Sequence, residues 1–259
     1  MANYKIVIPA RYSSSRLPGK PLIELCGKPM IQHTYERALE TGVKDIVIAT
    51  DDQRIYDVAI GFGADVVMTN PAHENGTERI AEVAEIKGWD KDDVLVNLQG
   101  DEPLVPKALI EQTAQGLLLN PEAGMSSICT QIEHAEDAFD PNVVKVVLDC
   151  RGFAMYFSRA AIPWDRDLYK NGQDNITKQM PAYRHIGMYG YRVSFLQEYT
   201  RMSQCPIEQV ECLEQLRALW YGVKIHMGVT TTPPGHGVDT PADIERVEKF
   251  LKQQNTKTL

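Results

Sequence analysis

The stretch Ile6-Val7-Ile8-Pro9-Ala10-Arg11-Tyr12-Ser13-Ser14-Ser15-Arg16-Leu17-Pro18-Gly19-Lys20-Pro21-Leu22 decides the fold. Three β-branched apolar residues form a short buried strand. The chain then enters a loop with three cations, Arg11, Arg16 and Lys20, among small hydroxyl residues and glycine, with no acid from Pro9 to Ile23. Open α/β sheets take their ligands outside the carboxyl ends of their strands. An arginine fork grips two phosphate oxygens, and a lysine adds a point charge. The loop therefore reads as a phosphate cradle; the competing reading is a solvated basic loop. It is not a Walker loop, because Gly19-Lys20 is followed by proline instead of Ser or Thr. A second Gly-Lys-Pro, at Gly27-Lys28-Pro29, reads as structural, opening a helix beside an exposed lysine.

Outward from this loop, the first half alternates strands and amphipathic helices. Strands are expected at Ile46-Val47-Ile48-Ala49, Val66-Val67-Met68 and Val94-Leu95-Val96-Asn97-Leu98. A helix beginning near Pro29 carries Ile31, Tyr35, Ala38 and Leu39 on one face and ends at Gly42. Further helices follow Asp51-Asp52, Thr77 and Pro106. This alternation predicts an α/β fold: a mostly parallel, Rossmann-like sheet with helices on both faces. The second half is less regular. Val143–Leu148, Ala154–Phe157 and Arg184–Tyr191 read as strands, with a polar loop from Leu168 to Gln179. Antiparallel pairs are expected here, in an insertion or dimerisation region at about 151–200. A helix from about Ile207 to Tyr221 is expected to bury Val210, Leu213, Leu216 and Trp220. Thr240-Pro241-Ala242-Asp243 is a helix start, and residues 253–259 read as a frayed tail. With 259 residues, one domain over 1–252 is the expectation.

A net charge of −8 argues against a nucleic-acid binder. No run approaches the roughly 20 apolar residues that a membrane span needs, and no apolar signal region follows Met1; the chain reads as cytoplasmic and not membrane-bound. The five cysteines show no Cys-x-x-Cys spacing and read as small buried thiols.

Asn97-Leu98-Gln99-Gly100-Asp101-Glu102-Pro103 follows another buried strand. Asp101 is placed there to ligate a hard cation; Mg²⁺ commonly takes one or two carboxylates plus substrate phosphates. The plainer reading is a turn aspartate after glycine. Asp239, in Gly237-Val238-Asp239-Thr240-Pro241, is the candidate partner, with a plainer role as a charge near a helix start.

Together these segments resemble the 3-deoxy-manno-octulosonate cytidylyltransferases, or CMP-Kdo synthetases. The resemblance runs from about Ile6 to Val247. It rests on Arg11-to-Leu22, Gly76-Thr77-Glu78-Arg79, Gln99-to-Pro103, Asn142-to-Val147, Tyr156-to-Asp167, Tyr189-Gly190-Tyr191-Arg192 and Leu213-to-Arg217. The resemblance implies that Arg11, Arg16 and Lys20 hold the CTP phosphates, with Arg79 and Gln99 on the nucleotide side. It implies that Asp101 and Asp239 hold Mg²⁺. Arg159, Arg166, His185, Tyr189, Glu214 and Gln215 would meet the acidic sugar, Arg159 or Arg166 taking its carboxylate. A homodimer is implied as well. The expected reaction is attack by the sugar's anomeric hydroxyl on the α-phosphorus of CTP, releasing pyrophosphate, in lipopolysaccharide precursor synthesis. Gln209, Cys212 and Met188 depart from the usual pattern and leave open Kdo or its 8-amino analogue. The rivals are a cytidylyltransferase for another acidic sugar, such as a sialic acid, and a non-catalytic nucleotide-sensing module, which would have no need of a metal-activated hydroxyl.

Overall fold

A computed structural model describes residues 4–13, 17–73, 75–172, 174–177 and 181–257. The chain divides into two compact units, one of residues 1–111 with 234–259 and one of residues 112–233. The second unit begins well before residue 151, inside a helix.

In the first unit, β1 (Lys5–Ala10) leads through a short hairpin, β2 (Glu24–Leu25) and β3 (Lys28–Pro29), into α1 (Met30–Leu39). There follow β4 (Ile46–Thr50), α2 (Gln53–Gly61), β5 (Asp65–Met68), α3 (Gly76–Ile86), β6 (Val94–Asn97) and α4 (Lys107–Leu118), in which the unit boundary falls. The strands pair in the order β6-β1-β4-β5, all parallel, with Ile6 opposite both Ile46 and Val96. Every residue of β4 and β6 is buried, as strands covered on both faces must be. Asp52 caps α2 by accepting from Arg54 N, and Asn75 caps α3 by accepting from Glu78 N. The expected strands and helices of this half are all present. Pro29 stands one place before α1 as its cap instead of as its first residue.

The second unit is built around β7 (Met125–Gln131). After α5 (Ala135–Phe139) come β8 (Lys145–Leu148), β9 (Ala154–Ser158) and β10 (Tyr183–Arg192). The unit continues with α6 (Val193–Tyr199), α7 (Pro206–Glu211), α8 (Gln215–Trp220) and β11 (Ile225–Val229). The pairs β7/β10, β10/β8 and β8/β9 are antiparallel, while β11 runs parallel to β7. The antiparallel pairing is as expected, but β7 and β11 are not foreseen by the sequence. In β7 the serines at 126 and 127 hide a buried strand. Ser126 is satisfied because its hydroxyl donates to the Thr113 carbonyl at 2.7 Å.

The single helix expected over 207–221 is two. Cys212 takes a left-handed backbone, φ 51°, and ends α7. Leu213 and Leu216 are buried as expected, whereas Val210 is 85% exposed and Trp220 54%, because the break turns their faces away from the interior. The thiols also differ from expectation: Cys129 and Cys205 are buried, but Cys26, Cys150 and Cys212 are exposed. Cys26 and Cys212 occupy chain reversals with positive φ, which lie at the surface.

The last helix, α9 (Pro241–Lys257), belongs to the first unit and runs five residues into the expected tail. Val247, with Ile244 and Leu251, packs onto Leu25, Met30, Leu104 and Val238. This small core anchors the segments that carry Asp101 and Asp239. Among the described residues no helix is long and apolar enough to cross a membrane.

Candidate active site

In the first unit three sequence-distant residues converge. Lys20 Nζ donates to Asp101 Oδ2 at 2.5 Å and to Asp239 Oδ1 at 3.0 Å. The lysine is positioned by Gly19, whose φ of 69° turns the loop back so that its N–H reaches the Tyr12 carbonyl at 2.9 Å. Asp101 is positioned by Gly100, where an added Cβ would lie 3.1 Å from the Pro9 carbonyl. The two aspartate segments are joined by Val238 N donating to Asp101 O at 3.0 Å. Burial works to lower the Lys20 pKa, but its bonds and attraction to Asp101 and then Asp239 outweigh it, and the net shift is upward. The ammonium is therefore a permanent cation. Glu102, which sequence reasoning passed over, completes the cluster. Burial, then the charges of Asp101 and Asp239, push its carboxyl up to about 7.

The donor set suits a hard cation. Two carboxylates already converge on one positive centre, and Mg²⁺ needs only one or two from the protein when phosphates and water supply the rest. Among the described residues there is no group of three or more His, Cys, Asp or Glu able to hold a metal, so an all-protein cage is not what this cluster offers.

The remaining nucleotide-side candidates fall into different roles. Arg11 donates to the carbonyls of His73 (2.7 Å) and Asn75 (3.0 Å), bracing the start of α3. Arg79 is wholly buried; it pairs with Asp51 at 2.6 Å and donates to the Thr69 hydroxyl. That geometry braces β5 and α3, and no part of the side chain reaches solvent. Gln99 is half-buried. Arg16 lies outside the described residues.

In the second unit, His185, Tyr189 and Gln215 come together. Tyr189 Oη donates to Gln215 Oε1 at 3.1 Å, Gln215 Nε2 lies 3.4 Å from His185 Nδ1, and His185 Nε2 lies 2.9 Å from Ser127 Oγ. The imidazole packs edge-on to Phe157, ring centroids 4.9 Å apart, and burial pushes its pKa down to about 3. Glu214 is exposed and accepts from Tyr199 Oη at 2.8 Å. Arg159 is held by the Glu211 and Pro141 carbonyls at 2.7 and 3.0 Å. Arg166 is exposed and is not drawn into the cluster by any of these bonds. Ser127 could not be read from the sequence because its strand could not.

The cytidylyltransferase family model matches residues 5–225. The 3-deoxy-manno-octulosonate cytidylyltransferase of Thioalkalivibrio sulfidiphilus is 55% identical over 251 residues, covering 96% of this chain and 99% of that protein. This chain belongs to that family. The enzyme of the same name from Aliivibrio fischeri is 51% identical, covering 97% of this chain and all of its own length. Among solved structures, a CMP:2-keto-3-deoxy-manno-octonic acid synthetase complexed with CTP superposes with a TM-score of 0.88 at 41% identity, over 98% of this chain and 100% of the other. The sheet is thus of the Rossmann-like nucleotidyltransferase type expected from the sequence. A Leptospira borgpetersenii cytidylyltransferase, TM-score 0.63 at 16% identity over 98% of this chain and 88% of its own, shares the fold.

Proposed function

We propose that this chain transfers CMP from CTP to the anomeric hydroxyl of Kdo, releasing pyrophosphate, with Mg²⁺ as the required cation. The observation that carries the reading is the convergence of Asp101 and Asp239 on Lys20 in a chain of this family. The new bond joins the sugar oxygen to the α-phosphorus, and the bond to the β-phosphate oxygen breaks. Such transfer depends on positioning and charge neutralisation more than on covalent catalysis. Asp101 and Asp239 would hold Mg²⁺, which supplies Lewis-acid polarisation and lowers the pKa of a bound hydroxyl. Lys20, charged at all working pH values, opposes the negative charge that grows on the leaving pyrophosphate. Arg11 and Arg16 are read as further phosphate contacts and Gln99 as flanking the nucleotide; Arg79, wholly buried in its pair with Asp51, is withdrawn from the nucleotide contacts and braces α3.

The sugar is assigned to His185, Tyr189, Gln215 and Glu214, with Arg159 and Arg166 as partners for its carboxylate. A buried imidazole with a pKa near 3 is a poor proton acceptor at neutral pH, so His185 contributes as a hydrogen-bonding group. The exposed Met155, Tyr156 and Trp164 of the second unit support reading the assembly as a homodimer. CTP and Kdo as substrates support reading the chain as a cytoplasmic enzyme of lipopolysaccharide precursor synthesis. Pyrophosphate release should be measured with CTP and Mg²⁺ against Kdo, 8-amino-Kdo and a sialic acid. Turnover with Kdo is expected; turnover with sialic acid alone, or CTP binding without turnover on any acidic sugar, would overturn the reading.

A further inference from the structure

Ser127 has one proton and three neighbours that compete for it. Its Oγ lies 2.7 Å from the Met188 carbonyl, 3.1 Å from the Ile186 carbonyl and 2.9 Å from His185 Nε2. Two oxygens 2.7 Å apart repel unless a proton lies between them, and a carbonyl has none to give. The serine proton is therefore committed to the carbonyl side, and Ser127 can only accept from the imidazole. It follows that His185 Nε2 carries a proton. The buried ring is neutral at physiological pH, so Nδ1 presents its lone pair. The group facing that lone pair must donate, which turns the Gln215 amide nitrogen toward Nδ1 and leaves Oε1 facing Tyr189. The Tyr189 hydroxyl has one proton as well, and Oε1 takes it. Each step follows from a count of protons, and together they run one way from Tyr189 to the backbone of Met188.

We propose that Ser127 is a positioning residue: it orders Tyr189, Gln215 and His185 in one direction, so that the Tyr189 hydroxyl meets the acidic sugar with lone pairs only and accepts from one of its hydroxyl or ammonium groups. The sugar part of this inference rests on the assignment of the sugar to His185, Tyr189 and Gln215; the proton order does not. Tyr189 is accordingly excluded as a donor to the sugar carboxylate, which is left to the arginines. A ligand with an acceptor in place of that donor would face lone pair against lone pair, and sites built for one polarity reject the other strongly.

The test begins with the intact enzyme. Long-range ¹H–¹⁵N correlation spectra distinguish the two neutral imidazole tautomers, and His185→Gln identifies the signal. The wild type should show the Nε2–H tautomer, with no titration between pH 5 and 8. An Nδ1–H tautomer, or an imidazolium at pH 7, would overturn the proton order whatever the sugar does. Ser127→Ala should then shift or mix the tautomer and raise the KM for Kdo about tenfold, the size of one ordinary hydrogen bond. Its kcat and its affinity for CTP should stay within about twofold. If the tautomer responds but the Kdo KM does not, the selectivity role of Ser127 is refuted. Tyr189→Phe then tells why: an unchanged Kdo KM there too shows that the sugar assignment itself is at fault.

Discussion

Arg217 and Glu208 face each other across the break between α7 and α8 in a two-pronged ion pair, Nε to Oε2 at 2.8 Å and Nη2 to Oε1 at 2.6 Å, with side chains 6% and 9% exposed. Glu208 also accepts from the Cys205 N–H at 3.3 Å and so closes the first turn of α7. Donation of its hydrogen bonds to Glu208 leads the upward shift of the Arg217 pKa, against an opposing effect of burial. The pair fixes where α8 lies, and α8 carries Gln215.

Removing one partner of a buried pair strands the other, which typically costs about 3–5 kcal/mol. Glu208→Ala should lose that much in urea denaturation followed by circular dichroism. A loss below about 1 kcal/mol would show that the arginine finds another partner or reaches water.

Asp101→Asn and Asp239→Asn should each lower turnover on the order of 10²-fold or more, with far-ultraviolet circular dichroism unchanged, since a metal contributes several kcal/mol of charge stabilisation. Raising Mg²⁺ should restore part of the loss. Near-normal activity at limiting Mg²⁺ in either variant would rule that carboxylate out as a ligand.

Arg166→Ala should lower kcat/KM for the sugar about 10- to 200-fold, the worth of one charge-assisted hydrogen bond of roughly 1.5–3 kcal/mol. Arg166 is exposed, so the fold should not suffer. Calorimetric titration with CTP alone should be unchanged; an equal loss for CTP would reassign Arg166 to the phosphates.

His185 predicts an acid limb in stability. Its ring takes up a proton near 6.5 when unfolded but only near 3 when folded. Above 6.5 neither state is protonated and the native state keeps its full advantage. As pH falls from 6.5 to 3 the unfolded chain binds a proton that the native chain refuses, and stability drops with a slope of up to about 1.4 kcal/mol per pH unit. His185→Gln should flatten the profile between pH 4 and 6 relative to wild type. Parallel profiles for the two proteins would contradict a buried neutral imidazole.

Much of the first unit was legible in the sequence because its strands are uninterrupted apolar runs. Ile46-Val47-Ile48-Ala49 and Val94-Leu95-Val96 are buried on both faces, and alternating with amphipathic helices such runs point to a covered parallel sheet. The loop after β1 announced itself by charge. Lys20, Asp101 and Asp239 were legible as types at strand and helix ends, and the structure brings those three together. Arg79 was legible as a candidate but not in its burial, since its partner Asp51 is 28 residues away.

What the sequence determined by itself, then, was local: the alternation of strand and helix, the cationic loop, the helix start at Thr240-Pro241, and a set of segments whose order matches one family. What only the tertiary structure decided was every relationship across long stretches of chain. Lys20 meets Asp239 across 219 residues, and Ser127 meets His185 across 58. The break at Cys212 belongs with these, because helical periodicity runs through it undisturbed while the αL backbone and the buried Glu208–Arg217 pair interrupt the helix itself. Periodicity reports which face of an element is apolar; it carries no information about which distant polar group will satisfy a buried one. That choice is made when the core closes and each buried donor must find an acceptor.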